Sequence, residues 1–235
     1  MYRRIVLKLS GETLAPLGPG GSVFDKDRVD ECARMLNRIA SEGIQLVVIL
    51  GGGNIWRGRF NPDMDAVTAD QMGMLATVLN ALCCAEAVNR LGGTAKVFTA
   101  QEMTRFAELY RADRADEALE NGNIVFVAGG TGNPFFTTDT GAALRAAELK
   151  ADAVFKGTGA EGIFDKDPNK YPDAVMYKDI TYKEAIDKRL GVMDTSAFVL
   201  CMDRHVPAIR VFKMDSLENI YKAAMGEDIG TTAHP

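Results

Sequence analysis

Ile124-Val125-Phe126-Val127-Ala128-Gly129-Gly130-Thr131-Gly132-Asn133-Pro134-Phe135-Phe136-Thr137-Thr138-Asp139 decides the fold of this chain. Its first five residues form an unbroken apolar run, the pattern of a strand buried on both faces. From Asp139 to Leu149 the small and apolar residues recur at helical spacing. Between strand and helix, the glycines let successive backbone N–H groups turn toward one point. The threonines add hydroxyl donors, and the helix beyond adds the positive end of its dipole. A strand, loop and helix built this way suit a phosphate monoester. Asp139 stands at the helix entrance, where a carboxylate caps the helix or orients a cation. A glycine-rich turn with a capping aspartate is the competing reading of the same residues.

Working outward, strands and helices alternate along the chain. Residues 4–9, 45–50, 95–99, 124–128, 153–155 and 208–212 read as strands. Residues 26–42 carry Val29, Ala33, Leu36 and Ile39 at helical spacing, and residues 69–91 form a long apolar helix stopped by Gly92-Gly93. Further helices are expected over 115–120, 182–188, 195–204 and 217–225. The alternation predicts an α/β protein, a three-layer α/β/α sandwich with a mainly parallel central sheet. No linker or repeat interrupts it, so residues 1–235 read as one domain, with 226–235 a loose tail. Ligands then belong beyond the carboxyl ends of the strands, where the glycine-rich motifs fall.

One motif invites a different conclusion. Gly157-Thr158-Gly159-Ala160-Glu161-Gly162 fits G-x-G-x-x-G and follows a strand. A dinucleotide fold needs a helix to open inside it. Here the chain runs on as Ile163-Phe164-Asp165-Lys166-Asp167-Pro168, rich in turn residues, so a loop is expected. The chain has no G-x-x-x-x-G-K-[ST], which excludes a P-loop kinase.

With 235 residues, 47% of them hydrophobic, the chain can bury a full core. A net charge of −5 and no basic stripe argue against nucleic acid as a partner. The overall field does not attract an anionic nucleotide, so any phosphate site is built locally from lysine, arginine and backbone N–H groups. Cys32, Cys83, Cys84 and Cys201 show no metal or disulfide spacing. Buried free thiols in a reducing, cytoplasmic setting are the simpler reading. The most apolar segment, residues 74–88, contains Thr77, Asn80 and Glu86, so no membrane span is expected. His205 reads as a helix-end residue and His234 as part of a disordered tail.

Several residues stand where charge on a phosphate would be met. Lys8 interrupts an apolar strand just before Ser10-Gly11, which favours a charge at the sheet's carboxyl end; an edge-strand lysine snorkelling to solvent is the alternative. Lys156 ends its strand in the same way. Gly52 and Gly53, with Asn54 and Arg57, make a glycine turn beside a guanidinium fork. Trp56 is expected to pack beside that loop. Asp70 precedes the apolar helix and Asp194 precedes a later one, so capping competes with a ligand role at both.

Four stretches together resemble the bacterial uridylate kinases of the amino acid kinase superfamily. They are Lys8-Leu9-Ser10-Gly11-Glu12, residues 51–58, residues 70–77 and the run from Gly130 to Asp139. The resemblance implies the amino acid kinase fold, with an acceptor part over roughly 1–150 and an ATP part over roughly 151–225. It implies transfer of the ATP γ-phosphate to UMP, giving UDP and ADP with Mg2+, a step of pyrimidine nucleotide synthesis. By position, Lys8, Lys156, Asp139 and Asp194 take catalytic roles. Lys8, Leu9, Ser10, Gly11, Gly53, Arg57, Thr158, Phe164 and Asp167 fall to ATP. Gly52, Asp70 and the loop Thr131, Gly132, Asn133, Pro134, Phe135, Phe136, Thr137 and Thr138 fall to UMP. No metal is assigned to a set of protein ligands. The family is typically a homohexamer with UTP feedback, and some members respond to GTP.

The chain departs from the family pattern in two places. Pro16-Leu17-Gly18-Pro19-Gly20-Gly21 is richer in proline and glycine than the segment linked to GTP activation. Gly157, Gly159 and Glu161 stand where alanine, lysine and aspartate are expected. An amino-acid or acetylglutamate kinase is the second enzyme reading, disfavoured by the phosphate loop of residues 133–138. A nucleotide-binding regulatory protein without turnover is the third, disfavoured by Lys8, Asp139 and Asp194.

Overall fold

The apolar runs become strands because a sheet covered on both faces is the one place where consecutive apolar residues are all buried. The structure is a computed structural model describing residues 2–16, 22–60 and 63–235. Its strands are β1 (Arg4–Leu9), β2 (Gln45–Leu50), β3 (Ala95–Thr99), β4 (Glu108–Leu109), β5 (Ile124–Ala128), β6 (Ala153–Thr158), β7 (Ile163–Phe164), β8 (Met176–Tyr177), β9 (Asp179–Thr181), β10 (Ile209–Lys213) and β11 (Thr231–His234). Its helices are α1 (Lys26–Ser41), α2 (Ala66–Arg90), α3 (Ala112–Glu120), α4 (Thr138–Glu148), α5 (Tyr182–Asp187), α6 (Thr195–Asp203) and α7 (Glu218–Ala224). Residues 17–21, which hold most of the segment tied to GTP, lie outside the described residues.

Among the described residues, nine strands form one sheet in the order β4-β3-β5-β2-β1-β6-β10-β11-β9. Every pairing in it is parallel except β10 with β11. Side chains alternate between the two faces. Leu7, Val48 and Phe155 pack with Leu36, Cys84 and Ile220 of α1, α2 and α7. Val6, Val47 and Val154 pack with Ala142, Ala146 and Phe198 of α4 and α6. This is the expected three-layer arrangement. The strand β1 lies at its centre, with Lys8 in register with Ile49 on one side and Lys156 on the other. The edge-strand alternative for Lys8 is therefore excluded. Both lysines share the alternation phase of Val6 and Val154, so they leave the sheet on the α4 side.

The long apolar helix starts earlier than expected. Asp65 is the residue that caps α2, accepting from the Thr68 N–H at 2.9 Å. Asp70 consequently lies within the helix and does not precede it. By length and composition alone α2 would cross a membrane. Its packing against α1 and β3 identifies it as a core helix. Two of its buried polar residues reach loops at the strand ends: Asn80 donates to the Gly51 carbonyl at 2.6 Å, and Thr77 accepts from the Gly129 N–H at 2.8 Å.

The expectation of a loose tail over 226–235 is corrected. Residues 231–234 form β11, inserted between β10 and β9, with Thr231 and Ala233 fully buried and His234 in the ladder. The Thr231 hydroxyl accepts from the Ile163 N–H at 2.9 Å and donates to the Tyr177 carbonyl, joining the β7–β8 hairpin to the main sheet. Arg210 holds the carbonyls of Glu227 and Ile229 at 3.1 and 2.9 Å, fixing the approach to β11. The residues this strand buries, Thr231 and Ala233, are small and carry little apolar signal in sequence.

Candidate active site

The loop after β5 is fixed from several sides. Gly129, Gly130 and Gly132 have φ of 81°, 60° and 89°, a left-handed region where a side chain costs about 1–2 kcal/mol. Thr77 holds the loop through the Gly129 N–H, and Gln101 Nε2 donates to the Gly132 carbonyl at 2.5 Å. Arg145, 4% exposed, supports the Gly130 carbonyl at 3.3 Å from below while stacking on the Tyr110 ring at 4.0 Å. Phe135 also has a left-handed φ, 70°, unusual for an aromatic residue. Its N–H donates to Asp70 Oδ2 at 2.7 Å, which pins that conformation. Asp70 thus tethers the loop to α2 with one carboxylate oxygen.

The loop and α2 enclose a cavity of about 230 Å³, lined by Gly52, Gly53, Asp70, Asn133, Phe136, Thr137 and Thr138 among others. Gly53, expected among the ATP residues, lines this cavity beside Gly52, expected for UMP. Gly132 and Pro134 line an adjoining cavity of about 370 Å³, with Met74 common to both. Thr131 spends its hydroxyl within the loop, on the Asn133 carbonyl at 3.3 Å. Phe135 points outward, 71% exposed. Trp56 packs as expected, its indole donating to the Ala69 carbonyl at 2.8 Å. Arg57 donates to the Gly53 carbonyl at 2.6 Å and pairs with Glu12. Leu9 is buried in the core, so only its backbone is available to a ligand. The Ser10 hydroxyl accepts from Glu12 N–H at 3.3 Å. A Cβ on Gly11 would stand 2.2 Å from Asn54 Oδ1, so this turn needs glycine.

At the carboxyl ends of β1 and β6 three charges meet. Lys8 Nζ lies 2.9 Å from Asp139 Oδ1, and Lys156 donates to Asp139 Oδ2. Their side chains are 16%, 9% and 10% exposed for Lys8, Asp139 and Lys156. Asp139 does not cap α4: the Thr137 hydroxyl does, accepting from the Asp139 N–H at 3.1 Å. That frees the Asp139 carboxylate for the two lysines. Burial works against its ionisation, but the Lys8 and Lys156 charges outweigh burial and hold it below the usual carboxylate range. Lys156 is shifted down, first by burial and then by Lys8, against the pull of Asp139 and Asp194. One carboxylate shared by two ammonium groups leaves a net positive charge in a poorly hydrated place, a setting that favours phosphate.

Asp194 occupies the cap position of α6, yet its side chain makes no cap hydrogen bond. It accepts instead from the Thr137 hydroxyl, across from α4. Capping is thus excluded as the role of either carboxylate.

Beyond Lys156 opens a cavity of about 780 Å³, lined by Lys156, Thr158, Phe164, Asp167, Lys188 and others. The chain after Gly162 forms β7, and no helix opens there, as the loop reading expected. The Thr158 hydroxyl closes on the Ala160 carbonyl at 2.7 Å, and Asp167 accepts from the Asn169 N–H at 3.0 Å. Gly157 lies under Met214: a Cβ there would fall 1.8 Å from its Cγ, whereas Gly159 faces open space. Among the described residues, no group of three or more His, Cys, Asp or Glu is placed to hold a metal ion. Sequence reasoning missed Thr77, Gln101 and Arg145, whose partners in the loop lie 52, 31 and 15 residues away, beyond the reach of a local motif.

Comparison with known proteins gives a consistent result. Residues 3–213 match the amino acid kinase family. The chain is 46% identical over 235 residues to a uridylate kinase of Bacteroides thetaiotaomicron, covering 99% of this chain and 98% of that one. It superimposes on the crystal structure of UMP kinase from Bacillus anthracis with a TM-score of 0.93 at 32% identity, over 99% and 96% of the two chains. For UMP kinase from Ureaplasma parvum the TM-score is 0.92 at 32% identity, over the full length of both.

Proposed function

The chain belongs to the amino acid kinase family, and from that premise we propose that it is a UMP kinase, transferring the ATP γ-phosphate to UMP to give UDP and ADP. The product feeds pyrimidine nucleotide synthesis. One observation carries the residue assignment: the Lys8–Asp139–Lys156 triad stands between the two cavities. Thr137 and Thr138, next in sequence to Asp139, line the acceptor cavity, and Lys156 itself lines the larger one.

Phosphoryl transfer asks the protein for alignment and charge neutralisation. UMP occupies the smaller cavity with its phosphate toward the loop N–H groups and the α4 terminus. Asp70 Oδ1 takes a ribose hydroxyl while Oδ2 keeps Phe135. ATP lies along the larger cavity, with Phe164 and Asp167 toward the nucleoside and its phosphates running to Lys156. Lys8 meets the moving phosphoryl group and Lys156 the departing ADP oxygens. Asp139 keeps both ammonium groups in line. Mg2+ fits the site as a companion of the ATP phosphates, because Mg2+ binds through one or two carboxylates plus phosphates and water. Asp194 is the carboxylate available to it, since both Asp139 oxygens face lysines. When bound, it neutralises phosphate charge.

Self-association, as a hexamer, belongs to the same proposal. Leu75 and Leu79, 51% and 52% exposed on α2, supply an apolar face suited to a second copy. So do a cytoplasmic setting and control by UTP. ADP release with ATP and Mg2+ against UMP, CMP, dUMP and N-acetylglutamate tests the reaction. UMP far above the others is expected; equal turnover with N-acetylglutamate overturns it. Light scattering in solution tests the hexamer, and added UTP tests feedback.

A further inference from the structure

Asp194 is diverted from its own helix. An aspartate in this position normally accepts from the first amides of the helix it precedes, and Asp194 does not. Three hydroxyls across the α4–α6 contact account for this. Thr137 donates to Asp194 Oδ2, Thr140 donates to the same oxygen at 3.4 Å, and Thr140 Oγ1 lies 2.7 Å from Ser196 Oγ. An ionised carboxylate only accepts, and each hydroxyl has one proton to give. The directions follow: Ser196 donates to Thr140, and Thr140 and Thr137 both donate to Asp194. The Thr137 oxygen in turn accepts from the Asp139 N–H at 3.1 Å. A continuous chain of hydrogen bonds therefore runs from Ser196 on α6, through Thr140 and Asp194, to the backbone of Asp139.

Both hydroxyl bonds fall on Oδ2. Among the described residues no hydrogen bond engages Oδ1. The charge of Asp194 also reaches Lys156, where it favours the ammonium form. Thr140 is 5% exposed, so its hydroxyl is held in a dry place where losing a partner is costly.

We infer that Thr140 and Ser196 are positioning residues for phosphoryl transfer, turning Asp194 away from the α6 amides so that Oδ1 faces the phosphates beside Lys156. They act through Asp194 and touch no substrate. The inference rests on the kinase reading above and adds two residues to it. It also explains why an exposed serine stands at position 196: it orients the proton of Thr140.

Thr140→Val keeps the shape of the side chain and removes the donor. Its kcat is expected to fall about tenfold with both KM values held within about twofold, the pattern of an interaction made in the transition state. Thr140→Ser restores the rate. Ser196→Ala, on the surface and safe for folding, lowers kcat about threefold by the same route. In an Asp194→Asn background, Thr140→Val costs nothing further, because the two act as one unit. An unchanged kcat in Thr140→Val and Ser196→Ala, or losses that multiply in the double variant, overturns the inference. If the unaltered chain fails to phosphorylate UMP, the kinase reading falls, and the crystal structure of Thr140→Val then decides the positioning alone. Asp194 is expected to swing onto the α6 amides; an Asp194 still on the Thr137 hydroxyl overturns the inference.

Discussion

The loop after β5 and the shelf after β6, proposed above for the acceptor and the donor, both start from glycines at the end of a parallel strand, and they differ in how they are held. The acceptor loop is held by Thr77, Gln101, Arg145 and Asp70, which lie elsewhere in the chain. Its cavity is about 230 Å³. The donor shelf closes two of its turns locally, Thr158 on Ala160 and Asp167 on Asn169, and has one distant tie, the Thr231 hydroxyl on the Ile163 N–H, around about 780 Å³. Preorganisation by distant partners gives a loop one shape and hence selectivity. Self-closing turns leave room for a larger ligand read at fewer points. On the assignment proposed above, the difference predicts tighter discrimination on the acceptor than on the donor. On the same assignment, the Lys8–Asp139–Lys156 triad meets both substrates.

That contrast can be broken in order of effect. Lys8→Ala removes a charge common to both substrates, and kcat should fall roughly 10²-fold or more, as for other lost charge stabilisers. Steady-state kinetics check it; an unchanged kcat removes Lys8 from the mechanism. Asp70→Ala touches the acceptor side alone. It frees the Phe135 N–H and the ribose together, so the KM for UMP should rise roughly tenfold with little change for ATP. An equal rise for both would assign Asp70 to the stability of α2.

On the donor side the effects should be smaller. Gly157→Ala pushes on Met214, a flexible side chain, and the KM for ATP should rise roughly threefold with UMP unaffected. Gly159→Lys enters open space and places an ammonium group on the shelf, so the KM for ATP should fall by a similar factor. A change in UMP affinity from either would show that the two regions are not independent.

The smallest effect sharpens the role of the junction. The carboxyl of Asp139 is held below its ordinary 3.8, so the folded state binds its proton less readily than the unfolded chain. The stabilisation is complete above pH 3.8 and is lost as pH falls through the lower folded value. Urea midpoints of the unaltered chain and Asp139→Asn should therefore draw together below pH 3.8. A constant gap would mean that the lysines do not need this charge.

The sheet and its motifs were legible because apolar runs and glycines are local signals. The strands at 4–9, 45–50, 95–99 and 124–128 stand where the sequence put them. Lys8 and Lys156 could be picked out as charges ending strands, but their common face and their direct register are properties of the pairing. The cap at Thr137 hid the role of Asp139, since threonine and aspartate compete for the same position in any helix-start pattern. The brief strands β4, β7, β8 and β9 exist only through their partners, and two or three residues carry no periodicity. The same holds for β11, whose small buried residues look like tail.

The place of β11 orders the birth of the molecule. Among the described residues β9 joins the main sheet only through β11, some fifty residues later in the chain, and Thr231 also fastens the β7–β8 hairpin. At roughly 5–20 residues per second, a ribosome needs roughly 3–10 s to travel from one to the other. During that interval β1 to β5 are already made, and β10, once it has joined β6, keeps its outer edge open until β11 arrives. The end of the sheet proposed for ATP is therefore the last to be completed, and on that assignment a nascent chain has its acceptor side formed before it can take up fuel.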